Sequence, residues 1–523
     1  MSREAGFHPG HNPWAIALTV TLATFMEVLD TSIANVALPH IAGGLSATQE
    51  ESTWVLTSYL VSNAIVLPMS GWLSTRIGRK RFYMMCVALF TISSFLCGIA
   101  PTLGSLIFFR ILQGLGGGGL APSEQSILSD TFEPKKRGMA FAIYGMAVVL
   151  APAVGPTLGG YITDHSSWRW IFFLNIPVGI VSLFLTSQMV TDPPWLEKAR
   201  KEKNPIDIVG LILVAVGLGS LEVVLDKGQE DDWFSSSFIV FFTISAVVGL
   251  VSFVVWELKT KNPIVDLRIF KNRNFAISSL LLFLLGLILF GTTVLLPQFL
   301  QLFMGYSAQE AGMTLSPGAL SIILFMPLIG ILVSRVPARY LIAIGFAITA
   351  FALYQMTHIN LQIDFKTATV WRIYQSAGMA FLFIPITTAA YFGIPKEKNN
   401  DVSGLLNLAR NVGGSVGISF VATAIARHAQ AHQNFLVAHA TPFDAAYRAM
   451  VNGVSSGLVD KGVAVAAATH AAEGRILQEI VRQSEVLAYS DILMMMAIAA
   501  LATLPIVFMM KENDPKKGGA MAH

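Results

Sequence analysis

The stretch PMSGWLSTRIGRK, Pro68 to Lys80, recurs as PLIGILVSRVPAR, Pro327 to Arg339. Pro68 aligns with Pro327, Gly71 with Gly330, Leu73 with Leu332 and Arg76 with Arg335. A second pair, RILQGLG (Arg110 to Gly116) and RIYQSAG (Arg372 to Gly378), lies at nearly the same offset: 372 − 110 = 262 residues against 327 − 68 = 259. Chance matches are common in apolar sequence, but two at one offset and in one topological phase are not. The chain therefore reads as two copies of one unit, and parallel repeats around a midplane site are the plan of alternating-access transporters.

The units are made of membrane helices. Hydrophobic residues make up 54% of the 523 and charged residues 13%, with a mean hydropathy of +0.61. A soluble domain is nearer a quarter charged. Apolar segments long enough to span a bilayer lie near 14–38, 53–73, 82–101, 104–128, 138–161, 168–190, 206–226, 236–256, 275–300, 312–334, 338–358, 369–391, 401–426 and 490–510. That predicts an all-α polytopic membrane protein with fourteen transmembrane helices. Spans 1–6 and 9–14 form two six-helix bundles, and spans 7 and 8 are inserted between them. The corresponding domains are 1–190, 191–270 and 271–523.

Basic residues give the orientation. The loop after span 2 is RIGRKR, and the loop after span 4 carries Lys135, Lys136 and Arg137. The loop after span 6 carries Lys198, Arg200, Lys201 and Lys203, and the one after span 8 carries Lys259, Lys261, Arg268, Lys271 and Arg273. The alternate short loops hold only Arg169, Lys227 and Lys366. The basic set is expected on the cytoplasmic side, together with both termini. The net charge of +3 reflects these loops and not nucleic-acid binding. Cys86 and Cys97 share one span, roughly 16 Å apart along a helix, so no disulfide is expected. No cleavable signal peptide is expected: the N-terminal tail has Arg3 but no basic run, and the first apolar segment has no A-x-A site. Residues 427–489 form a long outward-facing loop, expected to be partly helical.

The first span, FMEVLDTSIANVALP (Phe25 to Pro39), contains two acids, Glu27 and Asp30. An acid at a helix centre costs about 2.5–3.5 kcal/mol on insertion scales. Such residues face a bundle interior or a water-filled cavity and mark proton relays. At i and i+3 these two share a face. Glu124 is a further acid, fourteen residues after Arg110 in span 4, and exposure near the cytoplasmic mouth is the alternative reading for it. Glu222 and Asp226 close span 7, where interfacial solvation is expected. Arg410, in NLARNVGGSVG, is expected in a structural ion pair.

Four motifs resemble signatures of the major facilitator superfamily, in particular its fourteen-helix drug:proton antiporter branch and the EmrB-type multidrug exporters. The resemblance covers about residues 14–510. LDTSIANVALP resembles the first-helix signature. GWLSTRIGRK resembles the signature of the loop between helices 2 and 3, in which Gly71 and Gly78 are expected to allow a tight turn and Arg76, Arg79 and Lys80 to anchor the cytoplasmic end. The family pattern has an aspartate where this chain has Thr75, which weakens an acid–base latch at that loop. RILQGLGGGG resembles the fourth-helix signature, which places Arg110 inside the bundle beside span 1. APAVGPTLGG resembles the fifth-helix signature of antiporters, in which Gly155, Pro156, Gly159 and Gly160 give a kinked, smooth face on which the two halves rock.

The resemblance implies proton-coupled efflux of hydrophobic toxic compounds across the inner membrane. Proton coupling is expected at Asp30, Glu27, Arg110 and Glu124, with Arg110 as counter-charge to Asp30. A drug site wants apolar walls with a few polar groups, and by position the candidates are Asn35, Tyr59, Asn63, Gln113 and Gln298. The expected coupling ion is the proton, with no cofactor and no metal. Partners implied by the resemblance are a periplasmic adaptor of the membrane-fusion type and an outer-membrane channel, with loop 427–489 as the docking surface.

Other signals carry less. GGSVG (Gly413 to Gly417) fits G-x-S-x-G but lies mid-span with no preceding strand, so it is not a nucleophile elbow. LGGGGLAP lacks the G-K-[ST] of a phosphate loop. His428 and His432 stand at i and i+4, but two histidines without a third ligand are a weak metal site. An enzyme or receptor would need a catalytic set or a large soluble domain, and neither is evident. A dedicated exporter or importer of one metabolite, such as a siderophore or fatty acid, remains the alternative within transport.

Overall fold

A computed structural model describes residues 10–196 and 207–511. The basic residues Lys198, Arg200, Lys201 and Lys203 lie outside the described residues. The described residues form helices and no strand. In the first half these are α1 (Pro13–Gly44), α2 (Gln49–Ile77), α3 (Arg79–Gly98), α4 (Leu103–Gly117), α5 (Leu120–Thr131), α6 (Pro134–His165), α7 (Trp170–Phe173) and α8 (Asn175–Met189). Two more follow, α9 (Ile208–Lys227) and α10 (Ser237–Lys259). The second half holds α11 (Arg273–Met304), α12 (Ala308–Leu332), α13 (Ala338–Met356), α14 (Phe365–Ala390), α15 (Asn399–His439), α16 (Ala445–Val459), α17 (Val465–Ala502) and α18 (Leu504–Phe508).

Twelve described helices are long and apolar enough to cross a membrane, taking α4 with α5, α7 with α8 and α17 with α18 as single spans. α6, bent by 42° between Lys136–Pro152 and Val154–His165, makes a thirteenth. The remaining apolar segment of the sequence is α2. It is 29 residues long but more polar, and its polar side chains Ser58, Ser62, Asn63 and Ser70 are buried. A span whose polar groups face protein need not look apolar on average.

The packing repeats as the sequence does. α1 packs on α6 as α11 packs on α15, and α2 packs on α4 as α12 packs on α14. α3 packs on α4 and α8, and α13 packs on α14 and α17. The halves meet through a second matched pair of contacts, α2 with α15 and α6 with α12. The inserted helices pair with each other, and α9 lies against both α2 and α15. There the Ser415 hydroxyl donates to Glu222 at 2.6 Å, Thr57 donates to Asp226 and Lys227 donates to Thr53. Glu222 is buried, so interfacial solvation does not describe it.

Residues 427–489 are not a loop closed on itself. α15 runs unbroken for 41 residues to His439, roughly 60 Å and twice a hydrocarbon core, and α17 begins at Val465. Between them α16 folds back on α17 through Val451, Leu458, Ala468, Ala472 and Ile476. The last two spans thus continue as a helical hairpin beyond the membrane-length core.

The turn between α2 and α3 is made by Gly78, whose φ of 101° only glycine adopts easily. Gly71 has another role: it lies against the first turn of α15, where a side chain would meet Asp401 and its backbone nitrogen. The four-glycine run splits span 4 into α4 and α5 because α2 and α3 press on it. A Cβ at Gly116 would stand 2.7 Å from the Phe90 nitrogen.

Candidate functional site

Asp30 sits on α1 and is 3% exposed. It accepts three hydrogen bonds: from Arg110 Nη1 on Oδ2 at 2.6 Å, from Gln113 Nε2 on Oδ1 at 3.1 Å, and from Asn175 Nδ2 on Oδ1 at 2.6 Å. Arg110 is fully buried. It also donates to the Val55 carbonyl at 3.0 Å and to Gln113 Oε1 at 2.8 Å, and its guanidinium lies 4.3 Å from the centre of the Tyr59 ring. Residues 110 and 113 stand one turn apart on α4, so one face presents both a cation and an amide to α1. The predicted pairing of Asp30 with Arg110 is present.

Asn175 was missed by the sequence reading. It opens α8, donates to both Asp30 and Ser94 Oγ, and is buried. A lone amide inside IFFLNIPVGIV was the available signal.

Glu27 and Asp30 do not share partners, although both are buried on α1. Glu27 turns to α2, where Asn63 Nδ2 donates at 3.0 Å and the Tyr59 hydroxyl at 3.3 Å. Glu124, on α5, is fully buried and not exposed at a mouth. Thr21 of α1 donates to its Oε1 at 2.5 Å. Three acids therefore lie in the interior of the first half, each held by a different set of groups.

The five candidates for substrate contact separate. Tyr59, Asn63 and Gln113 are buried and engaged with the acids, so they satisfy carboxylates rather than stand free to meet a ligand. Asn35 on α1 and Gln298 on α11 are exposed, and the structure does not bring them into the acid cluster.

Residues Arg372, Gln375 and Thr292 of the second half occupy the positions of Arg110, Gln113 and Asp30, since 30 + 262 = 292. Arg372 Nη1 donates to Gln375 at 2.7 Å and to Thr292 at 3.5 Å, and Gln375 donates to Thr292 at 2.7 Å. The geometry is preserved while the acid has become a threonine. Arg372 is 5% exposed and pairs with no carboxylate among the described residues. Arg410 likewise has no carboxylate partner among the described residues, contrary to the expected ion pair. It donates to the Tyr144 hydroxyl across the halves at 3.0 Å and to its neighbour Asn411. Tyr144 in turn donates to Asn407 at 3.0 Å. The deep charges are thus unequal, with acids in the first half and, among the described residues, arginines that meet only neutral groups in the second.

The loop motif departs from its predicted role. Arg79 is buried, not an interfacial anchor, and it donates to Asp130 and to the Ser126 carbonyl, the latter at 3.1 Å. Asp130 also accepts from Asn399 Nδ2 of α15 at 2.8 Å, and Ser126 and Ser403 hydroxyls bond at 2.7 Å. A latch between the halves therefore exists at the basic-loop end despite Thr75, because α5 supplies its acid. Arg76 stays exposed beside Trp72.

The fifth-span motif divides: Gly155 and Gly159 face α1 of the same half, while Pro156 and Thr157 meet the other half. Gly155 lies against Ser32, and a Cβ at Gly159 would be 3.0 Å from Ile33 Cγ2. Both bring α6 onto α1 within one half. Gly160 has open space beside it. The contact between halves is made by Gly138 against Gly330, Gly145 against Met326 and Phe383, and Gly312 beside Thr157 and Pro156.

Residues 20–418 match the family model described as Major Facilitator Superfamily. The chain is 37% identical over 505 residues to the multidrug export protein EmrB of Escherichia coli (strain K12), covering 96% of each. It is 38% identical over 508 residues to the fatty acid resistance protein FarB of Neisseria gonorrhoeae, covering 96% of this chain and 97% of that one. Its fold is like that of the proton:xylose symporter XylE, with a TM-score of 0.58 at 15% identity, covering 96% of this chain and 97% of that chain.

Proposed function

Because the chain belongs to the major facilitator superfamily, we propose that it is a proton-coupled exporter of hydrophobic toxic compounds working by alternating access. The observation that carries this reading is the buried Asp30, held by Arg110, Gln113 and Asn175. A carboxylate in that setting exchanges a proton only if its donors can be redistributed. Protonating Asp30 removes the charge that holds Arg110, and Arg110 keeps Gln113 and the Val55 carbonyl as partners. The proton thereby loosens α1 from α4 and α8. Glu27, facing α2, and Glu124, beside Thr21, are further stations along the first half.

The latch of Arg79, Asp130 and Asn399 closes the halves at the basic-loop end, which on this reading is the cytoplasmic face of the inner membrane. One proton moving down ~150 mV yields about 3.5 kcal/mol. That supports a drug gradient of roughly a few hundred-fold. The α15–α16–α17 hairpin, which exposes Phe435, Phe443, Met450 and Val465, is suited to dock a periplasmic adaptor that leads to an outer-membrane channel. A dedicated exporter of one metabolite is the second reading, favoured by the similarity to a fatty acid resistance protein.

The test uses proteoliposomes with an internal pH-sensitive dye and an imposed proton gradient. A hydrophobic cation and a weakly acidic compound are added in turn, with protein-free controls. Substrate-triggered proton flux that is lost in Asp30→Asn supports antiport at Asp30. Flux that persists in Asp30→Asn removes Asp30 from the coupling role.

A further inference from the structure

His428 and His432 stand one turn apart on α15, and the fold brings Asp491 of α17 to meet them. His428 Nδ1 lies 2.9 Å and His432 Nε2 2.8 Å from the same oxygen, Oδ2 of Asp491. The three ligand atoms all fall within 4.8 Å of one another. The sequence offered two ligands; tertiary packing supplies the third. We propose that His428, His432 and Asp491 form a binding site for a divalent transition-metal cation, of which Zn²⁺ is the best match.

The chemistry of the donors points to this ion class. Imidazole suits zinc and its neighbours, whereas Ca²⁺ and Mg²⁺ want oxygen ligands. Two histidines at i and i+4 on one helical face are a recurring half of a zinc site. Two nitrogens and a carboxylate oxygen leave the fourth tetrahedral position for water. Ligand atoms around a tetrahedral Zn²⁺ are roughly 3.3 Å apart, given bonds near 2.0–2.1 Å. The two hydrogen bonds therefore need to lengthen by only a few tenths of an ångström, and the two ring nitrogens, which lie within 4.8 Å of each other, need to settle at the same spacing. Both imidazoles bind as neutral rings, each moving its proton to the other ring nitrogen.

The site is open to solvent, with side-chain exposures of 37% for His428, 29% for His432 and 42% for Asp491. It lies far from the acids of the first half. His428 is 428 − 399 = 29 residues along α15, roughly 43 Å from its start, at the far end of a membrane-length core. Beyond it α15 and α17 continue into the hairpin. A bound cation would pin these helices together at the hairpin's base and limit its swing relative to the second half.

The experiment takes the full chain, purified without a histidine tag and stripped with a chelator. Zn²⁺ is titrated against a chromophoric competitor, and Co²⁺ is added separately for its visible absorption. The expected result is one equivalent of Zn²⁺ bound, weakened more than about tenfold by His428→Ala, by His432→Ala and by Asp491→Asn. Co²⁺ should give the intense bands of a four-coordinate site. Zn²⁺ should raise the unfolding midpoint of the unmodified chain and leave the triple variant unmoved. Uptake by the triple variant equal to that of the unmodified chain overturns the proposal. So does a Co²⁺ spectrum of the weak aqueous type, a reading that depends on no variant folding. In either case the cluster is only a hydrogen-bonded clamp between α15 and α17.

Discussion

Arg110 and Arg372 occupy equivalent places in the two repeats, and replacing each by glutamine should have unequal effects. Arg110→Gln leaves Asp30 charged, buried and held only by Gln113 and Asn175. Removing one partner of a buried pair costs about 3–5 kcal/mol, because the other charge is stranded. Arg372→Gln strands nothing. It loses hydrogen bonds to Gln375, Thr292 and Thr293, but also relieves a buried cation that no acid balances. The two effects oppose each other, and the net change should stay within about 1 kcal/mol. For a chain of 523 residues the unfolding entropy is on the order of 1 kcal/mol per kelvin. Arg110→Gln should therefore lower the unfolding midpoint by about 3–5 °C and Arg372→Gln by about 1 °C or less. The assay is thermal denaturation of detergent-purified protein, followed by tryptophan fluorescence. Adding Asp30→Asn to Arg110→Gln should recover at least about 1 kcal/mol of the loss, as a coupled pair requires. Equal midpoints for the two arginine variants, or a double variant that shows only the sum of its parts, would refute the account of Asp30 and Arg110 as a charge pair.

Asp130→Asn removes the charge that Arg79 meets and weakens the tie to Asn399, so a cysteine placed at Ser403 should react faster with a polar thiol reagent added from the basic-loop side; the native Cys86 and Cys97 are buried and should give little background. An unchanged rate removes the latch. Gly159→Val should push α6 from Ile33 of α1 and cost about 1–3 kcal/mol, read as a lower unfolding midpoint, whereas Gly160→Ala, with open space beside it, should be tolerated. Tyr144→Phe removes the hydroxyl that joins Asn407 and Arg410 and should cost about 1–3 kcal/mol by leaving Arg410 short of a partner; the companion variant Asn407→Ala should show less than additive loss with it in a double-mutant cycle.

The membrane spans, the repeat and the Asp30–Arg110 pair were legible in the chain itself. Most spans are apolar over their own length, and a repeat leaves matched residues at a matched offset. Both are local properties, so a linear reading recovers them. An acid in such a span demands a partner, and the family resemblance, which packs span 4 beside span 1, named Arg110 as that partner. What each residue faces is not local. The direction in which Gly155 and Gly159 point depends on the rotation of α6 against α1, and that depends on packing with every neighbour. For the same reason Tyr59, Asn63 and Gln113 read as ligand contacts until the fold turned them toward carboxylates.

By itself the sequence marked the apolar segments, which of them are copies and which carry charge, because insertion cost and periodicity act along the chain. Only the tertiary structure decided how those charges are shared. It gave Asp30 three donors from two other helices, set Thr292 against Arg372 and Gln375 as Asp30 is set against Arg110 and Gln113, and supplied the latch acid from Asp130 in place of the residue at Thr75. It also carried Asp491 to His428 and His432 across more than fifty residues of intervening hairpin. Electrostatics acts through space, and sequence separation says nothing of distance until the helices have packed.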